Sequence, residues 1–361
     1  MNSTAHRTAA LSDPERGLLR DSLRNFLRQN WPAEHAVQRS VDASAITALW
    51  RGVAGLGLTS LGVAAEQAGL RETLLVFEEL GRASCPVPLP GAVAANLALG
   101  TQRSNAAHAI LEELHRGDAM IALALGSFDG DLSAGRVELR DGALSGNLSF
   151  AEGAQTATHI LVCTGEPSGV AIAAAEAAGL QIESTPGLAV PPLSKLAFDN
   201  TPAMFCGIAS ETLKDIALVA KLSCASRALG AAQRAFDLAV EHAKVRKQFG
   251  QLVGQFQAVQ HKLADALTSL DGARLTLETA AQARDDGNPD WRVFAASALA
   301  FAGPALRAVS IETHRALGAI GYAEEHEAPR HFRRVHADLA RFGGVSRARA
   351  ELADFMLGPA S

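Results

Sequence analysis

The sequence has few cysteines, few aromatic residues and no excess of basic charge. Its four cysteines, Cys85, Cys163, Cys206 and Cys224, lie far apart with neither metal-ligand nor disulfide-framework spacing. They read as reduced core thiols of a cytoplasmic protein. Aromatic side chains make up only 5% of the chain, while alanine is abundant. That composition disfavours a large β-sandwich and favours close-packed helices. The formal net charge is −5, so the basic balance of a nucleic-acid-binding protein is missing. The first residues, MNSTAHRTAALSD, carry no apolar core behind a basic start, unlike a secretory signal. No uninterrupted apolar run reaches membrane-spanning length, and no membrane association is expected. What remains is 361 residues, 48% apolar, enough for two or three domains with sizeable cores.

The hydrophobic period divides the chain into three parts. Ser12-Asp13-Pro14-Glu15 is a helix start: a cap, proline in the first turn and glutamate three residues on. Leu19, Leu23, Phe26 and Leu27 then form one face up to Trp31-Pro32. Further helices are expected over Ala43 to Gly55 and Arg71 to Leu80, with Gly81 as C-cap. Residues 1–118 thus form a helical unit. From Met120 the period shortens, and glycine and proline recur between short apolar runs. Asp141-Gly142 signals a hairpin turn. A small antiparallel barrel or sandwich is expected over 119–205. From Ser210 the helical period returns in long segments, broken at Asp285-Asp-Gly-Asn-Pro289. The next helix runs from Trp291 towards Leu317 through Pro304, where a kink is expected. Two more follow, over Ala328 to Ala340 and Ser346 to Leu357. Residues 206–361 read as a helical bundle. The fold class is therefore α+β, mostly α.

Two motifs at helix ends carry the functional reading. One is RKQFGQLVGQFQAVQHKLAD (246–265), an R-x-x-F-G step followed by F-Q-x-x-Q; the other is RALGAIGY (315–322). With FEELGRASCPVPLP (77–90) and the helical, β, helical order, they resemble the acyl-CoA dehydrogenase family. The resemblance implies an FAD-dependent oxidoreductase acting on a CoA thioester. In such enzymes a carboxylate removes a proton beside the thioester while hydride leaves the next carbon for the flavin. A base of that kind needs a raised pKa in a dry pocket. The resemblance places Arg246, Gln248, Phe249, Arg315, Gly318, Ala319 and Gly321 at the pyrophosphate and adenosine of an FAD held by a neighbouring subunit. Arginine suits phosphate because its planar fork stays charged, and glycine because a side chain would block the backbone's approach. Arg315 stands where the family has Gln, and Ala319 where it has Gly.

The other half of the site departs from the family's pattern. No Thr-Glu-Pro segment and no Thr-bearing strand can be found for the flavin ring; Ser127 and Ser149 are the hydroxyls nearby. The family's two positions for the base fall on Phe342 and Ala220, neither of which can accept a proton. Glu325 follows the glycine turn and is a weak candidate; Glu241 and Asp338 are others. Glu324, Glu325 and Glu327 also suit a helix N-terminus. His326, His331 and His336 recur every five residues, which spreads them around a helix and points to no metal site. Arg330, Arg333, Arg334 and Arg341 read as a solvated, salt-bridged helix face.

Half a nucleotide site without a base resembles the shorter partner subunits of heterotetrameric (α2β2) actinobacterial steroid-CoA dehydrogenases. That resemblance implies a second acyl-CoA dehydrogenase subunit supplying the ring's seat and the base, and a bulky substrate such as a steroid side chain or ring fragment; an electron-transfer flavoprotein is a further candidate partner, and the electron acceptor stays open. Two alternatives stay open: a homotetrameric enzyme with its own base, and a non-enzymatic scaffold on the same fold.

Overall fold

The computed structural model describes residues 11–63, 69–125, 137–341 and 344–358. The first helix, α1 (Asp13–Asn30), begins as its sequence signals. Ser12 donates from both its backbone N–H and its hydroxyl to Glu15, at 2.7 Å each. After the short α2 (Ala36–Arg39), α3 (Ala43–Gly55) is capped by Asp42, which accepts from the N–H groups of Ser44 and Ala45. The next helix, α4 (Leu70–Arg82), takes its cap from far along the chain. The carboxylate of Asp285 accepts the N–H groups of Leu70 at 2.7 Å and Arg71 at 3.0 Å. Two further helices, α5 (Leu89–Leu99) and α6 (Asn105–Arg116), complete the N-terminal part.

The strands are β1 (Ile121–Leu125), β2 (Val137–Arg140), β3 (Ala143–Glu152), β4 (His159–Thr164), β5 (Gly169–Ala174), β6 (Leu180–Ser184), β7 (Leu193–Pro202) and β8 (Met204–Gly207). They form two four-stranded sheets, ordered β1-β4-β5-β8 and β2-β3-β7-β6. Asp141 and Gly142 both take positive φ, the backbone that a tight hairpin between β2 and β3 requires. The expectation of a purely antiparallel unit needs correction, since β1 and β4 pair in parallel. Between them the chain passes through the β2–β3 hairpin in the other sheet. Ala122, Ala124, Leu148, Ile160, Val162 and Leu196 fill the space between the sheets. The opposite faces of β1 and β4, with Ile121, Leu123 and Leu161, join the main core. Strands buried on both faces read as unbroken apolar runs, as these do.

The bundle begins with α7 (Ser210–Val245), followed by the small hairpin of β9 (Lys247–Gln248) and β10 (Gln251–Leu252). Then come α8 (Gln257–Asp285), α9 (Trp291–Leu317), α10 (Ala328–Ala340) and α11 (Gly344–Leu357). Pro304 lies inside a continuous α9. By length and composition α9 is apolar enough to cross a membrane, a test that the core helix of a globular protein also passes. In the fold it packs among the other helices, with Ala295, Ala298, Ala302, Leu306 and Val309 in the main core.

Gly81 is not a C-cap. Helix α4 runs through it to Arg82, and the left-handed turn falls at Ser84. A Cβ on Gly81 would lie 1.8 Å from the Arg227 carbonyl oxygen, and one on Gly230 would lie 1.8 Å from that of Glu78. The two glycines let α4 and α7 touch backbone to backbone.

Candidate functional site: a basic, glycine-bearing bundle end and a sealed interdomain junction

The two motifs come together at one end of the bundle. Helices α7, α8 and α9 alternate in direction, so the ends of α7 and α9 lie on the same side. Leu238 and Ala239 of α7 pack there against Leu317 and Ala328. Arg246 leaves α7 in extended conformation, and its carbonyl accepts the N–H of Val253 at 2.8 Å, which closes the β9–β10 hairpin. At the hairpin tip Phe249 and Gly250 both have positive φ. Phe249 is 92% exposed, touching Phe256 edge-on with ring centroids 6.3 Å apart. Lys244, Arg246, Lys247 and Gln248 are exposed beside it, and Arg246 has no carboxylate partner among the described residues. Gly318 ends α9 with φ 65°, and a Cβ there would meet nothing within 4 Å. Gly318 and Ala319 are exposed, Gly321 is buried against Leu317, and Tyr322 lies edge-on to His314. Arg315 is exposed but held by Glu312 at 2.7 Å.

The candidate bases divide by exposure. Glu241 and Glu325 are on the surface, Glu241 3.4 Å from Arg234. Ala220 is a buried methyl on α7. Phe342 and Ser127 lie outside the described residues, and Ser149 is exposed on β3. Glu324 pairs with Arg333, while Glu327 stands at the N-terminus of α10 and pairs with Arg234. The histidines are dispersed as expected: His331 meets Ser84 and Glu327, and His336 meets Ser310. No metal-holding group occurs among the described residues.

The basic run is the largest departure from expectation. Only Arg333 behaves as a surface residue; Arg330, Arg334 and Arg341 are buried. With Arg227 of α7, two of them enter a buried ionic cluster where β3 meets the bundle. Arg227 is 0% exposed. It donates to both Glu152 oxygens at 2.6 and 2.7 Å and to both Asp338 oxygens at 2.9 and 2.6 Å. Arg341 also donates to Glu152. Burial opposes ionisation of Glu152, but Arg227 and then Arg341 outweigh it and hold its pKa down at about 2. Asp338 is thus engaged by Arg227 through both of its oxygens. The buried carboxylates among the described residues are Glu72, Glu79, Glu152 and Asp338. Arg16 reaches Glu72, Arg24 grips Glu79, and Arg227 holds the other two. Glu152 gave no signal in the sequence beyond a charged residue closing an otherwise alternating strand.

The chain is thus built in a helical, β, helical order. Residues 13–103 match the acyl-CoA dehydrogenase N-terminal domain, and residues 214–351 match its C-terminal domain. The acyl-CoA dehydrogenase IpdE2 of Mycobacterium tuberculosis is 30% identical over 331 residues, covering 89% of this chain and 91% of that one. Among solved structures, the Tcur3481-Tcur3483 steroid ACAD superposes with a TM-score of 0.82 at 26% identity, over 94% of this chain and 98% of that one. The ChsE4-ChsE5 complex of M. tuberculosis gives 0.81 at 21% identity, over 97% and 99%. The chain belongs to the acyl-CoA dehydrogenase family. Its members are FAD-binding oxidoreductases that act on CoA thioesters.

Proposed function

We propose that this chain is one subunit of a heteromeric acyl-CoA dehydrogenase and contributes the outer half of an FAD site to a catalytic partner subunit. In this reading Arg246 meets the pyrophosphate, with Gln248, Phe249 and the turn of Gly318, Ala319 and Gly321 around the adenosine; Arg315 lies at its edge. The residues fit that task. An exposed guanidinium without a carboxylate partner is ready for phosphate oxygens, and the open Gly318 turn lets a nucleotide come close to backbone. The bound flavin would accept hydride from the substrate; this chain's part is to bind and orient the dinucleotide tail.

The observation that carries the reading is the state of the other half. Glu152 ends β3, the strand that the resemblance sets against the family's ring-contacting strand. Its carboxylate is clamped by Arg227 and Arg341, with Asp338 behind. No buried carboxylate among the described residues is left free of arginine to take a substrate proton. The steroid ACAD among the solved structures supports a bulky CoA thioester as substrate, and the electron-transfer flavoprotein neighbour is compatible with such an acceptor.

The test is the flavin-to-chain ratio of purified protein, alone and co-purified with a catalytic acyl-CoA dehydrogenase subunit. The reading expects a colourless chain alone and a yellow, active complex. One flavin per chain and turnover without a partner would establish a self-sufficient enzyme instead. A mixed complex with neither flavin nor activity would establish a scaffold.

A further inference from the structure

The glycine turn that ends α9 has little of its own to hold it. Gly318, Ala319 and Ile320 are exposed, and its buried member, Gly321, has no side chain. Two glycines leave the backbone a freedom that must be given up when a ligand settles on it. The hold comes from His314, one turn earlier on α9 and 4% exposed. Its carbonyl accepts the Gly318 N–H, and a Cβ added to Gly321 would stand 3.3 Å from that oxygen. Its ring meets Tyr322, the last residue of the turn, with centroids 5.4 Å apart and planes at 79°. That edge-to-face arrangement is one that ring pairs prefer. The same imidazole packs on Phe332 of α10 at 4.5 Å, and Phe332 packs on His336 at 4.3 Å. His336 Nε2 in turn lies 3.2 Å from Ser310 Oγ, back on α9. Four rings thus run from the turn into the bundle.

We propose that His314 is a positioning residue: through its ring contact with Tyr322 it holds the Gly318–Tyr322 turn in the form that receives the dinucleotide tail. The inference rests on the reading of this bundle end as the outer half of an FAD site. The imidazole works here as a ring and not as a cation. Burial is the main cause that lowers its pKa, and His336 and His326 lower it further, so it is neutral at neutral pH. The carbonyls of Ser310 and Gly321 lie near it, but its Nδ1 makes no hydrogen bond among the described residues. A side chain so deeply buried behind the turn acts through the turn, not on the ligand.

The test compares His314→Ala, which removes the ring, with His314→Phe, which keeps one, in the complex with a catalytic acyl-CoA dehydrogenase subunit. FAD should be held about five- to tenfold more weakly in His314→Ala and as in wild type in His314→Phe. Tyr322 is the only tyrosine of the chain, so incorporated fluorotyrosine gives one fluorine resonance that reports the contact directly. In the full chain that resonance should differ from free fluorotyrosine in wild type and His314→Phe, and approach the free value in His314→Ala. A purely structural role would lower Tm and leave both the resonance and the FAD affinity unmoved, which would overturn the proposal. An equal loss of FAD in both variants would overturn it too, since a ring contact would then not suffice. If His314→Ala does not fold, Tyr322→Ala breaks the same contact from a 69% exposed position and should weaken FAD by the same factor; unchanged retention there would again overturn the proposal. Arg246→Ala, run in parallel, separates the two claims. Flavin lost from Arg246→Ala but kept by His314→Ala refutes the positioning role alone, whereas flavin kept by both refutes the outer site itself.

Discussion

Arg227 and Glu152 face each other through two parallel bonds, Nη1 to Oε1 at 2.6 Å and Nη2 to Oε2 at 2.7 Å, with neither side chain more than 3% exposed. One sits midway along the first bundle helix and the other at the end of a strand, so this pair fixes how the β-sheets sit on the bundle. Removing one member of a buried pair leaves the other charged and dry. Arg227→Met strands Asp338 and leaves Glu152 with Arg341 alone, so it should destabilise the chain by about 3 kcal/mol. Urea unfolding with an unchanged m-value would measure it. A loss below about 1 kcal/mol would mean that water reaches the cluster.

Two glycines with opposite surroundings give a second prediction. Alanine at either position gains about 1 kcal/mol of helix propensity. Gly17, within α1, has nothing within 4 Å of an added Cβ, so Gly17→Ala should stabilise by up to about 1 kcal/mol. Gly81 has the Arg227 carbonyl oxygen 1.8 Å away. Gly81→Ala must push α4 off α7 and should cost about 2–3 kcal/mol net. The two variants should shift the thermal midpoint in opposite directions.

The contrast between these glycines also marks where sequence reading works. Ser12 with Glu15, Asp141-Gly142 and the bounds of α3, α9 and α10 were legible because each signal lies within a few residues of what it controls. Gly81 follows a leucine at the end of an apolar stripe and looks like a cap. Only the position of Gly230, on another helix, shows it to be a crossing point. The arginines of α10 misled in the same way. A guanidinium is a surface group by default, and its burial depends on acids such as Glu152, which belong to the β-sheets. The places of Arg246 and Gly318 at the ends of α7 and α9 were legible from local motifs. The sealed junction was not, because its five charged members, Glu152, Arg227, Arg334, Asp338 and Arg341, come from three separate parts of the chain.

His331 should make stability depend on pH in mildly acidic solution. Burial is the main cause that holds its folded pKa at about 4 against an ordinary 6.5. Between those values the unfolded chain binds the proton and the native chain does not. The contribution of His331 is therefore complete above pH 6.5 and is lost as pH falls towards 4. Its full span is about 3 kcal/mol. Glu152 and Glu327, held near 2 in the fold, lose their contribution only as pH falls below about 4.5. His331→Gln should flatten the unfolding free energy between pH 6.5 and 4.5 relative to wild type. Parallel curves for the two proteins would refute the assignment.

Arg246 separates a phosphate contact from a fold contact. Its side chain is exposed and joins no salt bridge among the described residues, so truncation removes nothing that the helices need. A charge-assisted hydrogen bond is worth about 1.5–3 kcal/mol. Arg246→Ala should therefore weaken FAD retention in the assembled complex by about ten- to a hundredfold, with helical circular dichroism unchanged. Arg246→Lys keeps the charge but loses the planar fork, so it should fall between the two. Arg315→Ala is the internal comparison, since Glu312 already holds that guanidinium and less is free for a ligand. If flavin content after gel filtration is the same in Arg246→Ala as in wild type, the pyrophosphate does not lie at this end of the bundle.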